Sequence, residues 1–214
     1  MATLIGAGMF ACGLANATSA TLPDAVLDNP LAQTKSHDTI VVAGGCFWGV
    51  QAVFQHLKGV SEAVSGYAGG DAATAHYEMV SSGDTGHAES VQVTYDPSQI
   101  SLGQVLKVFF AVAHNPTELN RQGPDSGTQY RSAIFTHSPE QMRIAEAYIN
   151  QLNQAKVFAS PIVTKVEPLK VFYAAEDYHQ NYATLHPLNP YIAINDAPKV
   201  SALEKEFPEL YVKP

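Results

Sequence analysis

The sequence has few cysteines and few basic residues. It contains two cysteines, Cys12 and Cys46, and 12 lysines and arginines against 20 aspartates and glutamates, which gives a formal net charge of −8. Proteins bind nucleic acids and anionic membranes through clusters of basic side chains, and the sequence shows no such cluster. This charge balance argues against both kinds of partner.

Patterns typical of metal ligands are also missing. The eight histidines are scattered along the chain, and neither an H-x-x-x-H nor a C-x-x-C pair occurs. Structural zinc sites use closely spaced ligand pairs of this kind. We therefore expect no structural zinc site and no other bound metal.

The N-terminal stretch is apolar and uncharged up to Leu14, and small residues follow it. This pattern favours an export signal over residues 1–20, although the usual basic residues at its start are missing. The apolar run is too short for a transmembrane helix, so we expect no stable membrane anchor. The expected location is the periplasm or another exported compartment, with the cytoplasm as the alternative. Cleavage of the signal would remove Cys12 and exclude an internal disulfide.

The rest of the chain is interpreted as a linker over residues 21–38, which lack periodicity, and a single catalytic domain with a C-terminal extension over 39–214. Strands and helices alternate, and the strands are short. This order predicts an α+β fold: a two-layer, plait-like (ferredoxin-like) sandwich in which helices pack on a mixed sheet and long loops connect them. We expect the protein to be a monomer.

Hydrophobic periodicity and turn residues predict the individual elements. Two capping boxes, at Ser101–Gln104 and Ser138–Gln141, mark helix starts. The predicted strands are 39–43, 59–68, 89–95, 131–136 and 161–173, the last interrupted at 167–168. The predicted helices are 46–57, 102–113, 139–155 and one beginning at 176, followed by an amphipathic turn within 200–210. Residues 71–87 and 115–129 are predicted as long loops.

Residues 44–49 (GGCFWG) connect the first predicted strand to the first predicted helix. Cys46 should therefore lie at a helix N-terminus, where partial positive charge and unpaired N–H groups favour a thiolate and lower its pKa. The preceding glycines allow a tight turn and leave the sulfur accessible. The alternative is a small, buried apolar side chain, which is a common environment for free cysteine.

Several polar motifs lie in or next to the predicted loops, and together they resemble the peptide methionine sulfoxide reductases of the A type. The resemblance covers about residues 39–195. The matching motifs are 45–49 (GCFWG), 66–70 (GYAGG), 83–89 (GDTGHAE), 125–132 (DSGTQYRS) and 178–180 (YHQ).

The resemblance implies a chemistry that reduces methionine-S-sulfoxide, free or in proteins, without a cofactor. Cys46 would attack the sulfoxide sulfur and become a sulfenic acid. Glu89 would be a buried, neutral carboxyl that protonates the sulfoxide oxygen, since desolvation raises a carboxyl pKa. Tyr77 and Tyr130 would hold that oxygen with their hydroxyls. Without the resemblance, Glu89 would be interpreted as a solvated residue at the start of a strand.

The resemblance also assigns residues to substrate binding. Phe47 and Trp48 would form the pocket for the S-methyl group. Asp125 would bind the peptide backbone or orient the cysteine region, although an Asx turn in a Gly-rich loop accounts for it nearly as well. Three further polar residues are interpreted as structural support: His87, Arg131 and His179.

Many members of this family regenerate the enzyme with cysteines near the C-terminus, and this chain has none after Cys46. We therefore expect an external thiol reductant to attack the sulfenic acid, of the thioredoxin, glutaredoxin or glutathione type. Cys12 is the alternative, but its upstream position makes it poorly placed.

Two other functions remain open at this point. A Cys–His hydrolase or transferase would use His87, His114 or His179 as a base for Cys46. A non-catalytic peptide-binding domain would need no reactive thiol.

Overall fold

A computed structural model describes residues 22–213 of the chain, in which strands and helices alternate. The strands are β1 (Asp38–Gly44), β2 (Val60–Ala68), β3 (Ala88–Tyr95), β4 (Arg121–Gln122), β5 (Asp125–Ser126), β6 (Ser132–Thr136), β7 (Lys165–Pro168) and β8 (Phe172–Ala174). The helices are α1 (Phe47–Gln55), α2 (Tyr77–Val80), α3 (Leu102–Val108), α4 (Pro139–Ala155), α5 (Tyr182–Leu185) and α6 (Ala197–Glu206).

Six of these strands form one sheet in the order β7-β6-β1-β3-β2-β8. Neighbouring strands run antiparallel except β6 and β7, which are parallel, so the sheet is mixed. Strands β4 and β5, each of two residues, form a separate hairpin. The α+β class with a mixed sheet is therefore confirmed.

The main hydrophobic core lies between the sheet and the helices. Alternate residues of a strand point to opposite faces, and in β1 the side chains of Ile40 and Val42 belong to the cluster that also contains the apolar faces of α1, α3 and α4. Val41 points to the other face, into a smaller cluster that is covered by Leu169 and Phe172. All three β1 residues are fully buried, so β1 is the central support of the turn that follows it.

Most predicted elements are present, and helix α4 has the predicted bounds. Ser101 and Gln104 form the predicted capping box at α3. At α4 the Ser138 side chain accepts from the N–H of Gln141, as a capping box requires. The Gln141 side chain, however, accepts from the N–H of His137 and not from the N–H of Ser138, so the box is shifted by one residue. The predicted helix 102–113 is α-helical only to Val108 and continues as a π-helical turn.

The regions predicted as loops contain short regular elements. Helix α2 lies within 71–87, and the β4–β5 hairpin lies within 115–129. The helix predicted from residue 176 is a 3₁₀ turn over Asp177–His179 followed by the single-turn helix α5. These elements are too short to produce a periodic apolar pattern, which is why the sequence did not reveal them.

The segment predicted as a linker packs against the domain. The Asp28 carboxylate accepts hydrogen bonds from the hydroxyl of Ser101 and from the N–H of Gly103, the latter at 2.9 Å. The hydroxyl of Tyr148 donates to the carbonyl of Pro23 at 2.8 Å. From residue 22 onward this segment is therefore a docked extension, held by α3 and α4.

The predicted export signal over 1–20 and Cys12 lie outside the described residues, so both stay predictions. Within residues 22–213, no helix is long and apolar enough to cross a bilayer.

Ser101 caps α3 and also holds the N-terminal extension, so its removal should cost more than the loss of a cap alone. We expect Ser101→Ala to lower the free energy of unfolding by about 2–3 kcal/mol, because the cap and the bond to the Asp28 carboxylate are lost together. Urea unfolding would measure the change. As a control, Ser201→Ala at an exposed position of α6 should stay within about 0.5 kcal/mol of the starting protein. Equal effects of the two substitutions would contradict this role of Ser101.

Candidate active site

Cys46 lies at the turn between β1 and α1, where it is the N-cap residue of the helix. Gly45 has a φ of +88°, a left-handed conformation that favours glycine, and a side chain there would also collide with Gln122. A side chain at Gly44 would collide with the ring of His114. The turn therefore requires glycine at position 45, and the close approach of His114 requires it at position 44. Cys46 itself is 8% exposed and is not in a disulfide.

Glu89 lies beside this turn, on the neighbouring strand β3. Its side chain is buried, and its Oε2 atom accepts a hydrogen bond from the backbone N–H of Phe47 at 3.1 Å. Burial raises the pKa of the Glu89 carboxyl to about 8, although the Phe47 N–H opposes the shift. The structure thus brings a carboxyl that is largely protonated at pH 7 next to the residue that follows Cys46.

The expected low pKa of Cys46 is wrong for this structure. Burial, together with the nearby Glu89 and Asp196 carboxyls, raises the pKa of the thiol, while the N–H of Trp48 and the ammonium group of Lys199 only partly oppose this. A helix N-terminus favours an anion by about 0.3–2 kcal/mol. Burial removes the water that would stabilise a thiolate, and it is the largest cause of the raised pKa of Cys46. Desolvation therefore outweighs the helix, and the resting cysteine is a thiol.

Tyr77 and Tyr130 face the same region from two further elements. Tyr77 is the first residue of α2, and its backbone N–H donates to the Glu176 carboxylate at 3.0 Å. Tyr130 ends a 3₁₀ turn that begins at Thr128. Burial is the main cause that raises the pKa of both phenols, and the nearby Glu89 carboxyl is the next largest. Both hydroxyls consequently keep their protons and can donate hydrogen bonds.

Aromatic rings line the start of α1 on the side of the C-terminal segment. The Trp48 ring is half-buried, stacks on Tyr182 with 3.9 Å between ring centroids and meets Tyr191 edge-on at 6.0 Å. Its indole N–H donates to Nδ1 of His179 at 3.2 Å. Phe47, in contrast, is 1% exposed and belongs to the core. Trp48 is thus the more accessible of the two predicted pocket residues.

Asp125 lies on β5 and accepts a hydrogen bond from the hydroxyl of Tyr191. Asp125 and Cys46 border the same small depression, which has a volume of about 80 Å³. The depression is an opening next to Cys46, and its other lining residues are Gln122, Gly123, Pro124, Tyr191, Asn195 and Lys199.

The three histidines considered as bases form hydrogen bonds with groups other than Cys46. His114 donates to the carbonyl of Phe109 and accepts from Ser132, and burial lowers its pKa to about 3. His87 is bonded to the backbone of residues 70 and 71. His179 accepts from Trp48. Within residues 22–213 none of the three forms a hydrogen bond with Cys46, so the structure offers no Cys–His pair.

Sequence reasoning missed residues of the C-terminal segment that border the site. Glu176 accepts from the hydroxyl of Tyr67 at 2.8 Å and from the N–H of Tyr77, and so joins β2 to α2. Tyr182 and Tyr191 pack on Trp48. The sequence shows aromatic and acidic residues in this segment. Neither their period nor their spacing, however, indicated which part of the fold the segment would contact.

Comparisons with known proteins identify the family of the chain. The model of the family described as "Peptide methionine sulfoxide reductase" matches residues 38–211. The chain belongs to this family.

Among its relatives, the peptide methionine sulfoxide reductase MsrA 2 of Mesorhizobium japonicum is 61% identical over 174 residues, which cover 81% of this chain and 89% of that protein. The MsrA 2 protein of Synechocystis is 46% identical over 97% of this chain and 96% of its own length. The solved structure of methionine sulfoxide reductase A of Corynebacterium diphtheriae matches with a TM-score of 0.62 and 37% identity, covering 73% of this chain and 78% of that chain.

Membership in this family makes the chain an oxidoreductase that reduces methionine sulfoxide and repairs oxidised methionine. The two alternatives left open by the sequence, a Cys–His hydrolase and a non-catalytic peptide-binding domain, are therefore not supported.

The raised pKa of Glu89 in this reductase can be measured directly. We expect the infrared band of a protonated carboxyl to be present at pH 7, to disappear as the pH rises through about 8, and to be missing in Glu89→Gln. Glu62→Gln, at an exposed position of the neighbouring strand β2, should keep the band. Loss of the band near pH 4 to 5, the range of an ordinary glutamate, would show that Glu89 is not desolvated.

Proposed function

We propose that the protein reduces methionine-S-sulfoxide by direct attack of the Cys46 sulfur on the sulfoxide sulfur. Glu89 is the acid that protonates the sulfoxide oxygen, and the hydroxyls of Tyr77 and Tyr130 donate hydrogen bonds to it. The observation that carries this proposal is the hydrogen bond between the Glu89 carboxyl and the N–H of Phe47, which holds the acid beside the nucleophile.

The raised pKa values of Cys46 and Glu89 support a proton exchange during the attack. Glu89 gives its proton to the sulfoxide oxygen and recovers one from the Cys46 thiol, so no net charge is created in the buried site. The attack forms a transient S–S bond; the S–O bond of the sulfoxide then breaks as its oxygen moves to the Cys46 sulfur, and the S–S bond opens to release methionine. The methionine sulfur gains two electrons, and the Cys46 sulfur loses two and becomes a sulfenic acid.

The lining of the site supports the proposed substrate contacts. A sulfoxide has an apolar S-methyl group on the sulfur, and the half-buried face of Trp48 is the accessible apolar surface beside Cys46. Phe47 would contribute only the floor of this pocket, because its ring is in the core. Asp125 borders the opening and is suited to contact the backbone N–H of a peptide.

Regeneration requires electrons from outside the domain. Cys46 is the one cysteine within residues 22–213, so no second thiol of this part of the chain can attack the sulfenic acid. We propose an external thiol of the thioredoxin, glutaredoxin or glutathione type. The depression beside Cys46 is the approach that supports this proposal.

The proposal also includes a ferredoxin-like plait, export of the protein and a monomeric state. The central strands β6-β1-β3-β2, antiparallel throughout, support a ferredoxin-like plait with β7 and β8 added at the edges. Export of the protein is supported only by the apolar N-terminal sequence. A monomer is expected because methionine sulfoxide reduction, as proposed, uses residues of one chain.

The proposed acid can be tested by substitution with its isostere. We expect Glu89→Gln to lower the turnover of methionine sulfoxide with dithiothreitol by about 10²–10⁴, because an amide cannot supply the proton. Cys46→Ser should abolish turnover, whereas Glu62→Gln should retain it. Formation of methionine would be measured by chromatography. Full activity of Cys46→Ser or of Glu89→Gln would exclude the corresponding role.

The fate of Cys46 can be followed without a reductant. We expect one equivalent of methionine per chain and a sulfenic acid on Cys46, detected by mass spectrometry after trapping with dimedone. Cys12→Ser should behave identically, because Cys12 takes no part. An intramolecular Cys12–Cys46 disulfide in the unsubstituted chain would overturn the prediction of an external thiol.

A further inference from the structure

The regeneration step needs a thiolate to enter a depression that is bordered by Asp125, on a protein whose formal net charge is −8. We propose that Lys199, held in place by Asp196, receives the incoming thiolate and makes the enzyme select negatively charged thiol reductants. This inference rests on the proposed function of Cys46.

Lys199 is fixed by a buried ion pair. Its Nζ atom lies 3.1 Å from Oδ1 of Asp196, whose side chain is fully buried, and the Lys199 side chain is 21% exposed. The other oxygen of Asp196 has no hydrogen-bond partner within residues 22–213. Lys199 therefore supplies the positive charge that pairs with the buried carboxylate of Asp196. This pairing restricts the position of the ammonium group.

The ion pair is seated on the first turn of the helix that Cys46 caps. A side chain at Gly49 would collide with the Asp196 carboxylate, and its Cβ would lie only 2.8 Å from Nζ of Lys199. Gly49 is thus the position in α1 that admits the pair. The ammonium group is consequently held beside the helix start, next to Gly49, which is three residues after Cys46 in the sequence.

Lys199 and Cys46 border the same depression, whereas the Asp196 side chain does not contribute to its lining. The positive charge of the pair therefore faces the opening, and its negative charge lies behind. Asp125 also borders the opening, but its carboxylate already accepts a hydrogen bond from Tyr191. A thiolate that enters here meets the ammonium group on its way to the sulfur.

Reduction of the sulfenic acid proceeds in two steps. The sulfur of the incoming thiolate bonds to the Cys46 sulfur, the S–O bond of the sulfenic acid breaks, and the oxygen takes a proton and leaves as water. A second thiol then attacks the sulfur of the first and releases Cys46 as a thiolate. The two thiols lose two electrons as they become a disulfide, and Cys46 gains them. Lys199 stays charged and stabilises the anionic sulfur as it arrives.

The first test measures the local charge without catalysis. In a Cys12→Ser background, only Cys46 can be alkylated, and iodoacetate differs from iodoacetamide by one negative charge. We expect Lys199→Gln to lower the ratio of the two alkylation rates about fivefold, the effect of one unit charge near a solvent-accessible anion. Lys199→Arg should keep the ratio. Lys205→Gln, an identical change at an exposed position of the same helix, should also keep it.

The second test uses the reaction itself. The sulfenic acid is formed with methionine sulfoxide and is then reduced with 3-mercaptopropionate, 2-mercaptoethanol or cysteamine, which carry negative, no and positive charge. We expect the preference for the anionic thiol over the cationic one to fall about fivefold or more in Lys199→Gln and to persist in Lys199→Arg and Lys205→Gln.

Lys199→Gln leaves a buried carboxylate without its partner and can lose stability, so the neutral double variant Asp196→Asn/Lys199→Gln is measured alongside it. The double variant should show the same loss of anion preference. Equal ratios in the unsubstituted chain and in both variants would overturn the role of Lys199. Absence of any methionine burst in the unsubstituted chain would instead contradict the proposed function, while the alkylation ratio would still decide on Lys199.

Discussion

The site depends on the hydrogen bond from the backbone N–H of Phe47 to the carboxyl of Glu89. It joins the first N–H of helix α1, which has no partner inside the helix, to a residue of strand β3. Because β1 pairs with β3 in a fixed register, the turn that carries Cys46 and the strand that carries Glu89 cannot shift independently. The Cys46 thiol and the Glu89 carboxyl are thus held together by the sheet itself.

Burial of this pair has an electrostatic consequence that the local sequence does not indicate. Both the thiol and the carboxyl have raised pKa values, mainly through desolvation. The resting site is therefore uncharged at these two groups, and a sulfoxide can enter without displacing a bound counterion. The same desolvation makes a free thiolate costly, so Cys46 keeps its proton in the resting site.

The C-terminal segment completes the site from the other side. Tyr182 and Tyr191 pack on Trp48, and Tyr191 donates to Asp125, which is far from it in the sequence. Asp196 occupies the space that Gly49 leaves free. Each contact joins residues that are distant along the chain, so periodicity and turn composition could not predict them. Helix α4, by contrast, was predicted with its observed bounds because its cap and its apolar stripe are local features.

The sequence by itself determined the order of strands and helices, the turn that needs glycine at position 45, and the motifs by which Cys46 and Glu89 were selected. These depend on residues that are neighbours in the chain, where turn geometry and helix capping act. Only the tertiary structure decided the protonation state of Cys46, the burial of Phe47 and the meeting of Lys199 with the opening beside the sulfur. Desolvation and charge pairing depend on which distant segments close over a group, and that is a property of the folded chain.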